Sequence, residues 1–179
     1  MTSIIFELQP DKLEDELVTL RPIAESDFDA LFALAADPLI WEIHPVKDRY
    51  KKEVFKEYFD SALASKGAFV VVDRNTGELM GCTRYYALQP ELSRVAIGYS
   101  FIARRFWGGP YNKAMKTLML NHAFQYVDSV VLHVGKANIR SQKAVLKLGA
   151  KLINEFDFMK TGDLNHFEYE IKKDEWERR

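Results

Sequence analysis

A single cysteine, Cys82, stands in a chain of 179 residues. That excludes an internal disulfide, and without a Cys-x-x-Cys pair the chain carries neither a thiolate zinc site nor a dithiol redox centre. Charge of one sign is also missing, because 25 basic residues against 26 acidic ones leave a formal net charge of −1. Such a chain lacks the basic excess that a phosphate backbone attracts, which argues against nucleic acid as a partner. No apolar run approaches the ~20 residues that span a bilayer, and Met1–Pro10 has no basic stretch followed by an apolar one. These absences predict a cytoplasmic protein with no membrane partner. Repeats, low-complexity tracts and Gly/Ser linkers are absent too, so we expect a single domain over 1–179 with its core at about 17–176.

What is present has two periods. Leu17–Arg21 alternates as a half-buried strand and stops at Pro22. Two helices follow: Ser26 is placed as an N-cap ahead of the face Phe28, Leu31, Phe32, Ala35, and Val54, Phe55, Tyr58, Phe59, Ala62 form a second face. The middle of the chain then changes period, to β-branched and aromatic runs. Phe69–Val72 and Leu79–Ala87 flank the turn signal Asn75-Thr76-Gly77 and should pair as a hairpin, with Leu92–Ile102 as a third strand after Gln89-Pro90. A helix over Pro110–Tyr126, a short strand Val130–Val134 and a helix over Asn138–Gly149 make a strand–helix–strand–helix run. Leu152–Met159 and Phe167–Ile171 close the chain as a hairpin around Thr161-Gly162-Asp163. The predicted order is βααβββαβαββ, an α/β chain with one mixed sheet and helices on both faces.

Two segments are typed for chemistry. At the strand-to-helix junction, Gly108-Gly109 lets backbone approach a ligand, Pro110 suits a first helical turn, and free N–H groups there attract anions. The same glycines also suit a tight turn with no ligand, and neither a Walker loop nor a three-glycine dinucleotide fingerprint is present. In Gly135–Ala144, Asn138 is typed as a helix N-cap. Ser141, polar on an otherwise apolar face, either bonds back to its helix or serves a site.

Together these segments resemble the GNAT (Gcn5-related) N-acetyltransferases, and within them the ribosomal-protein N-terminal acetyltransferase-like branch. The resemblance runs from Leu17 to about Trp176. It rests on Val18-Thr19-Leu20-Arg21-Pro22 with Asp27-Phe28, on Ile97-Gly98-Tyr99, and on Trp107-Gly108-Gly109 with Tyr111-Asn112. Asn138-Ile139-Arg140-Ser141 through Leu148-Gly149-Ala150, and Tyr169-Glu170-Ile171 with Glu175-Trp176, complete it. It implies the acyl-CoA N-acyltransferase fold, a central twisted mixed sheet splayed at the cofactor site, and acetyl-CoA as cofactor. Phe101, Ile102 and Ala103 would pair with the pantetheine arm, and the turn Arg105, Trp107, Gly108, Gly109, Tyr111, Asn112 would hold the pyrophosphate. Asn138 would reach the cofactor arm and Ser141 the thioester sulfur, while backbone N–H groups at a bulge in the central strand would polarise the acetyl carbonyl. The activity implied is transfer of acetyl to a primary amine of a protein N-terminus or a small molecule. A homodimer is open, as no exposed apolar helix or heptad marks one.

Two positions depart from the family pattern. Pro110 stands where a small residue is usual and removes one N–H from the phosphate turn. Ala96 stands where many relatives carry a glutamate that acts as general base. His133, on the short strand beside the implied cleft, is the best-typed replacement, with His44 as a second candidate. Trp41, His44, Arg84, Tyr85 and Tyr86 are candidates for the acceptor pocket. The four histidines show no ligand spacing, so no metal is assigned; His122 and Cys82 read as core residues, and Lys47, Arg49, Lys51 and Lys52 as a solvated face. A non-catalytic acyl-CoA-binding module on the same fold is the alternative reading.

Overall fold

The computed structural model describes residues 5–179. Eight strands form one sheet in the order β1-β2-β3-β4-β5-β6-β8-β7. The strands are β1 Leu13–Glu14, β2 Val18–Pro22, β3 Ala68–Asp73, β4 Leu79–Gln89, β5 Arg94–Ile102, β6 Ser129–Gly135, β7 Lys151–Phe156 and β8 His166–Lys172. All neighbours pair antiparallel except β5 and β6, which run parallel because the helix α3 (Tyr111–Ala123) crosses between them. The remaining helices are α1 Phe28–Ala35, α2 Lys52–Ser65, α4 Ile139–Lys147 and α5 Lys173–Glu177. The expected order βααβββαβαββ is present, with the two-residue β1 and the short α5 added at its ends.

Sequence period explains which face each element buries. Val18 and Leu20 of β2 are fully buried between half-exposed neighbours, whereas every residue of β3 but Val72 is buried because β2 and β4 cover both its edges. One core joins α3 and α4 to β2–β6 through Met115, Met119, Leu120, Val145, Leu132 and Ile97. The other packs α1 and α2 on the opposite face through Leu31, Phe55, Phe59, Val70, Cys82 and Phe101. The hairpin β3–β4 turns where Asp73 Oδ1 accepts the N–H groups of Asn75 and Thr76 and Gly77 takes a left-handed φ of +74°.

Capping departs from expectation at the first helix. Neither Ser26 nor Asp27 caps α1 with its side chain; a 3₁₀ turn Glu25–Asp27 leads into the helix, and the Asp27 carboxylate accepts the Ala24 N–H at 2.8 Å and a bidentate pair from Arg21. The charge-assisted pair with Arg21 ties this turn to β2. At α4 the expectation holds, with Asn138 Oδ1 accepting the Ser141 N–H at 3.1 Å and Gly149 left-handed beyond the helix end. Among the described residues no helix is long and apolar enough to cross a membrane.

Candidate active site

Strands β5 and β6 part company along their length. Only Arg94, Val95 and Ala96 pair with Ser129, Val130 and Val131. Beyond them β5 stays hydrogen-bonded to β4 as far as Ile102, and β6 to β8 as far as Gly135, so each strand is held from behind while a wedge opens between them. A register shift between Cys82 and Arg84 of β4 marks a bulge in the facing stretch Gly98–Phe101, where Tyr99 takes a φ of +50°. A bulge leaves one residue outside the ladder and redirects its peptide. This one is held in place: the Tyr58 hydroxyl of α2 donates to the Tyr99 carbonyl at 2.5 Å, and the Arg84 guanidinium lies 3.7 Å from the Tyr99 ring centroid.

The wedge leads into a cavity of about 460 Å³ between β5, the start of α3 and α4. Phe101, Ile102, Trp107, Gly108, Gly109, Asn112, Asn138 and Ser141 line it, all of them expected from the sequence. Three other expected residues do not. Ala103 is buried with its N–H bound to Met80, Arg105 is paired with Glu78, and the Tyr111 hydroxyl donates to Asp73 at 3.3 Å. Pro110 occupies the N-cap of α3 rather than its first turn, so the free N–H groups of Tyr111, Asn112 and Lys113 remain for an anion.

Four cations join the cavity wall: Lys113, Arg140, Lys143 and Lys147. Among the described residues no aspartate or glutamate lines it. Arg140 stacks on Trp107, its Cζ 3.6 Å from the ring centroid, and burial holds its pKa below the ordinary value. Sequence reading missed these cations because Lys143 and Lys147 lie one helical turn apart on α4 and face the cavity only once α4 docks beside α3. A glycine turn, free helix-start amides and an acid-free basic wall fit a polyanionic cofactor.

Asn138 and Ser141 line the cavity from the start of α4. The Asn138 carbonyl is committed to the cap, which leaves its Nδ2 amide for the cavity. Among the described residues the Ser141 hydroxyl has no hydrogen-bond partner, so it does not bond back to its own helix.

On the other face of the sheet the acceptor candidates separate. Trp41 and His44 also line the cavity. His44 is tied down, its Nδ1 accepting the Val46 N–H at 2.9 Å, and burial beside the Arg49 charge pushes its pKa down to about 3. It is neutral at working pH, with its basic nitrogen occupied, and does not fit the role of base. Tyr85 is a correction: it is fully buried on the α3 face with its hydroxyl donating to the Met119 carbonyl, because alternate residues of a strand face opposite ways. Its neighbours Arg84 and Tyr86 face the wedge side. Arg49 is a second correction, since its guanidinium is buried over Trp41 and Tyr58 instead of solvated. His133 lies on the same face, its ring bound to Tyr86 and Glu168. His122 and Cys82 are core residues as expected; the His122 ring bonds the Glu7 carbonyl at 2.7 Å and burial pushes the Cys82 thiol up to about 11.

Comparison with known proteins agrees with this geometry. Residues 18–151 match the family model described as an acetyltransferase (GNAT) domain, and the chain belongs to that family. A GNAT-family protein from Chromobacterium violaceum ATCC 12472 superposes with a TM-score of 0.84 at 16% identity, covering 99% of this chain and 94% of that one. A GCN5-related N-acetyltransferase from Brucella melitensis superposes at 0.77 and 18% identity, covering 94% and 83%. Mycobacterium smegmatis RimJ, solved in complex with CoA-disulfide, does so at 0.72 and 19%, covering 92% and 87%. Acetyl-CoA is the cofactor the family and the cavity share.

Proposed function

We propose that the chain is a cytoplasmic N-acetyltransferase of the RimJ-like branch that moves acetyl from acetyl-CoA to a primary amine by direct attack. The observation that carries this reading is the pinned bulge at Tyr99 beside a splayed, acid-free cavity. When bound, acetyl-CoA supplies an acetyl group activated as a thioester. The residues of the chain do the rest. The basic wall and the Gly108 turn anchor the phosphates, and the backbone N–H groups at the bulge polarise the acetyl carbonyl, a contribution of about 10²–10³ in rate per donor. Asn138 orients the cofactor arm, and Ser141 hydrogen-bonds or protonates the departing sulfur. Ala96 is buried and carries no carboxylate, so proton removal from the amine draws on the basicity of His133, whose ring is bound to Tyr86 and Glu168.

The acceptor is a protein N-terminus in this reading. The wall beside the bulge carries Arg49 and Arg84, both buried and neither paired with a carboxylate among the described residues. A polyamine would bring further positive charge to that wall, whereas an N-terminus brings one. The small-amine alternative therefore suits the site less well.

Acceptor-dependent thiol release from acetyl-CoA, measured over a panel of N-terminal peptides and small amines alongside calorimetry, tests the proposal. Tight binding with no release on any acceptor would favour a non-catalytic acyl-CoA-binding module, the reading that buried Ala96 supports. Ser141→Ala is expected to lower kcat about 10-fold or more with acetyl-CoA affinity unchanged, because its hydroxyl acts on the leaving sulfur. Unchanged turnover would remove Ser141 from the mechanism.

A further inference from the structure

A line of three polar side chains crosses the sheet on the wedge side. Tyr86 of β4 bonds through its hydroxyl to His133 Nδ1 at 2.6 Å, and His133 Nε2 of β6 bonds to Glu168 Oε2 of β8 at 2.8 Å. Arg94 of β5 lies 3.7 Å from the other Glu168 oxygen and holds that carboxylate in orientation. All three members are partly exposed. The line ends beside the bulge. A Cβ at Gly98, the residue before Tyr99, would lie 3.3 Å from the Tyr86 hydroxyl, and the Tyr86 and Tyr99 rings meet edge to face with centroids 4.9 Å apart.

We infer that Tyr86 is the catalytic residue that takes the proton from the acceptor amine, with His133 and Glu168 acting through it. The inference rests on the acetyltransferase reading above. The proton inventory defines each role. A carboxylate only accepts, so the Nε2–H of His133 points to Glu168 and its Nδ1 is the bare nitrogen. The Tyr86 hydroxyl donates to that nitrogen, which leaves a lone pair of its oxygen for the substrate. As the amine nitrogen bonds to the acetyl carbon, its N–H proton passes to Tyr86 Oη while the Tyr86 proton passes to His133 Nδ1. His133 is then an imidazolium held by the Glu168 carboxylate, and the proton returns to water through Tyr86 once the product leaves. The arrangement has the logic of a nucleophile–histidine–carboxylate triad, with a tyrosine relaying a proton in place of a nucleophile. It also explains how a chain with Ala96 manages without the usual glutamate.

Burial raises the Tyr86 pKa, so the phenol stays protonated until His133 accepts. Burial lowers the His133 pKa, opposed by Glu168 and assisted by Arg94. The groups around that ring are Tyr86 from β4, Arg94 from β5, Glu168 and His166 from β8, and the uncharged Phe156 and Phe158. His133 therefore remains neutral down to below its ordinary 6.5, and protonating it blocks the relay.

Two measurements test the inference, the first of them independent of activity. Nitrogen NMR of the His133 ring in the free protein is expected to show the Nε2–H tautomer and an ionisation below 6.5; the Nδ1–H tautomer overturns the relay, whatever the chain does with acetyl-CoA. In thiol-release kinetics, Tyr86→Phe and His133→Gln are each expected to lower kcat by about 10²–10⁴-fold with calorimetric acetyl-CoA affinity unchanged. Glu168→Gln is expected to lower kcat and move the acid limb of the pH profile down, since the imidazolium loses its counter-charge. Full kcat in Tyr86→Phe overturns the relay and leaves the acetyltransferase reading standing. Absence of turnover in the unsubstituted protein on every acceptor overturns both.

Discussion

A Gly108→Glu variant is expected to lose acetyl-CoA affinity by about 100-fold or more in calorimetry while keeping its fold. Nothing lies within 4 Å of a Cβ built at Gly108, so the side chain has room. Its carboxylate would sit at the start of α3, where the free N–H groups await phosphate. Like charges set against each other cost several kcal/mol, and about 1.4 kcal/mol is tenfold in affinity. The position also has a φ of +75°, which costs a non-glycine residue about 1–2 kcal/mol whatever its charge. Gly108→Ala therefore serves as the control, carrying the backbone strain without the charge. It should melt slightly lower and bind acetyl-CoA nearly as the unsubstituted protein does. Equal losses in the two variants would mean that strain rather than charge governs the turn, and full affinity in Gly108→Glu would make the turn structural only.

The second large effect concerns stability. Lys116 of α3 is buried, donates to the Ser100 hydroxyl at 2.6 Å and has no carboxylate beside it; burial alone pushes its pKa down to about 7. The unfolded lysine holds its proton up to about 10.4. Between these values the unfolded chain binds a proton that the folded chain has released, so this group makes stability rise with pH from about 7 to about 10. Below that window the folded protein buries an unpaired ammonium. Lys116→Met, similar in length and apolar, is expected to raise Tm at pH 6 by several degrees, with each kcal/mol worth about 2–4 °C in a chain of this size. The gain should shrink by pH 9. A gain that does not depend on pH would mean the ammonium is not destabilising, and a loss would show that the bond to Ser100 outweighs desolvation. Ser100 keeps a partner in the variant, since its hydroxyl also bonds Thr83 at 2.8 Å.

Much of this was legible in the sequence for reasons that are local. The β-branched and aromatic runs Phe69–Val72 and Leu79–Ala87 with Asn75-Thr76-Gly77 between them specify a hairpin, since turn chemistry and strand propensity act over a few residues. Apolar spacing in α3 and α4, Asn138 as a cap and Gly149 beyond the helix end are equally local signals. So are the glycine turn and the serine on an apolar face, both of which line the cavity. Tyr85 and Tyr86 show where such reasoning stops. Adjacent strand residues face opposite layers, and only the docking of α3 decides that Tyr85 is core and Tyr86 borders the wedge.

The sequence by itself therefore determined the elements, their order, and the glycine turn and Asn138–Ser141 cap that line one cavity. Tertiary structure alone decided that β5 and β6 diverge after three paired residues, that Arg49 and Lys116 are buried with no carboxylate partner among the described residues, and that Tyr86, His133 and Glu168 form one line. The reason is range. Propensity and periodicity act between residues a few positions apart, whereas the relay joins positions 86, 133 and 168 from three strands, and only sheet order brings their side chains within hydrogen-bond reach.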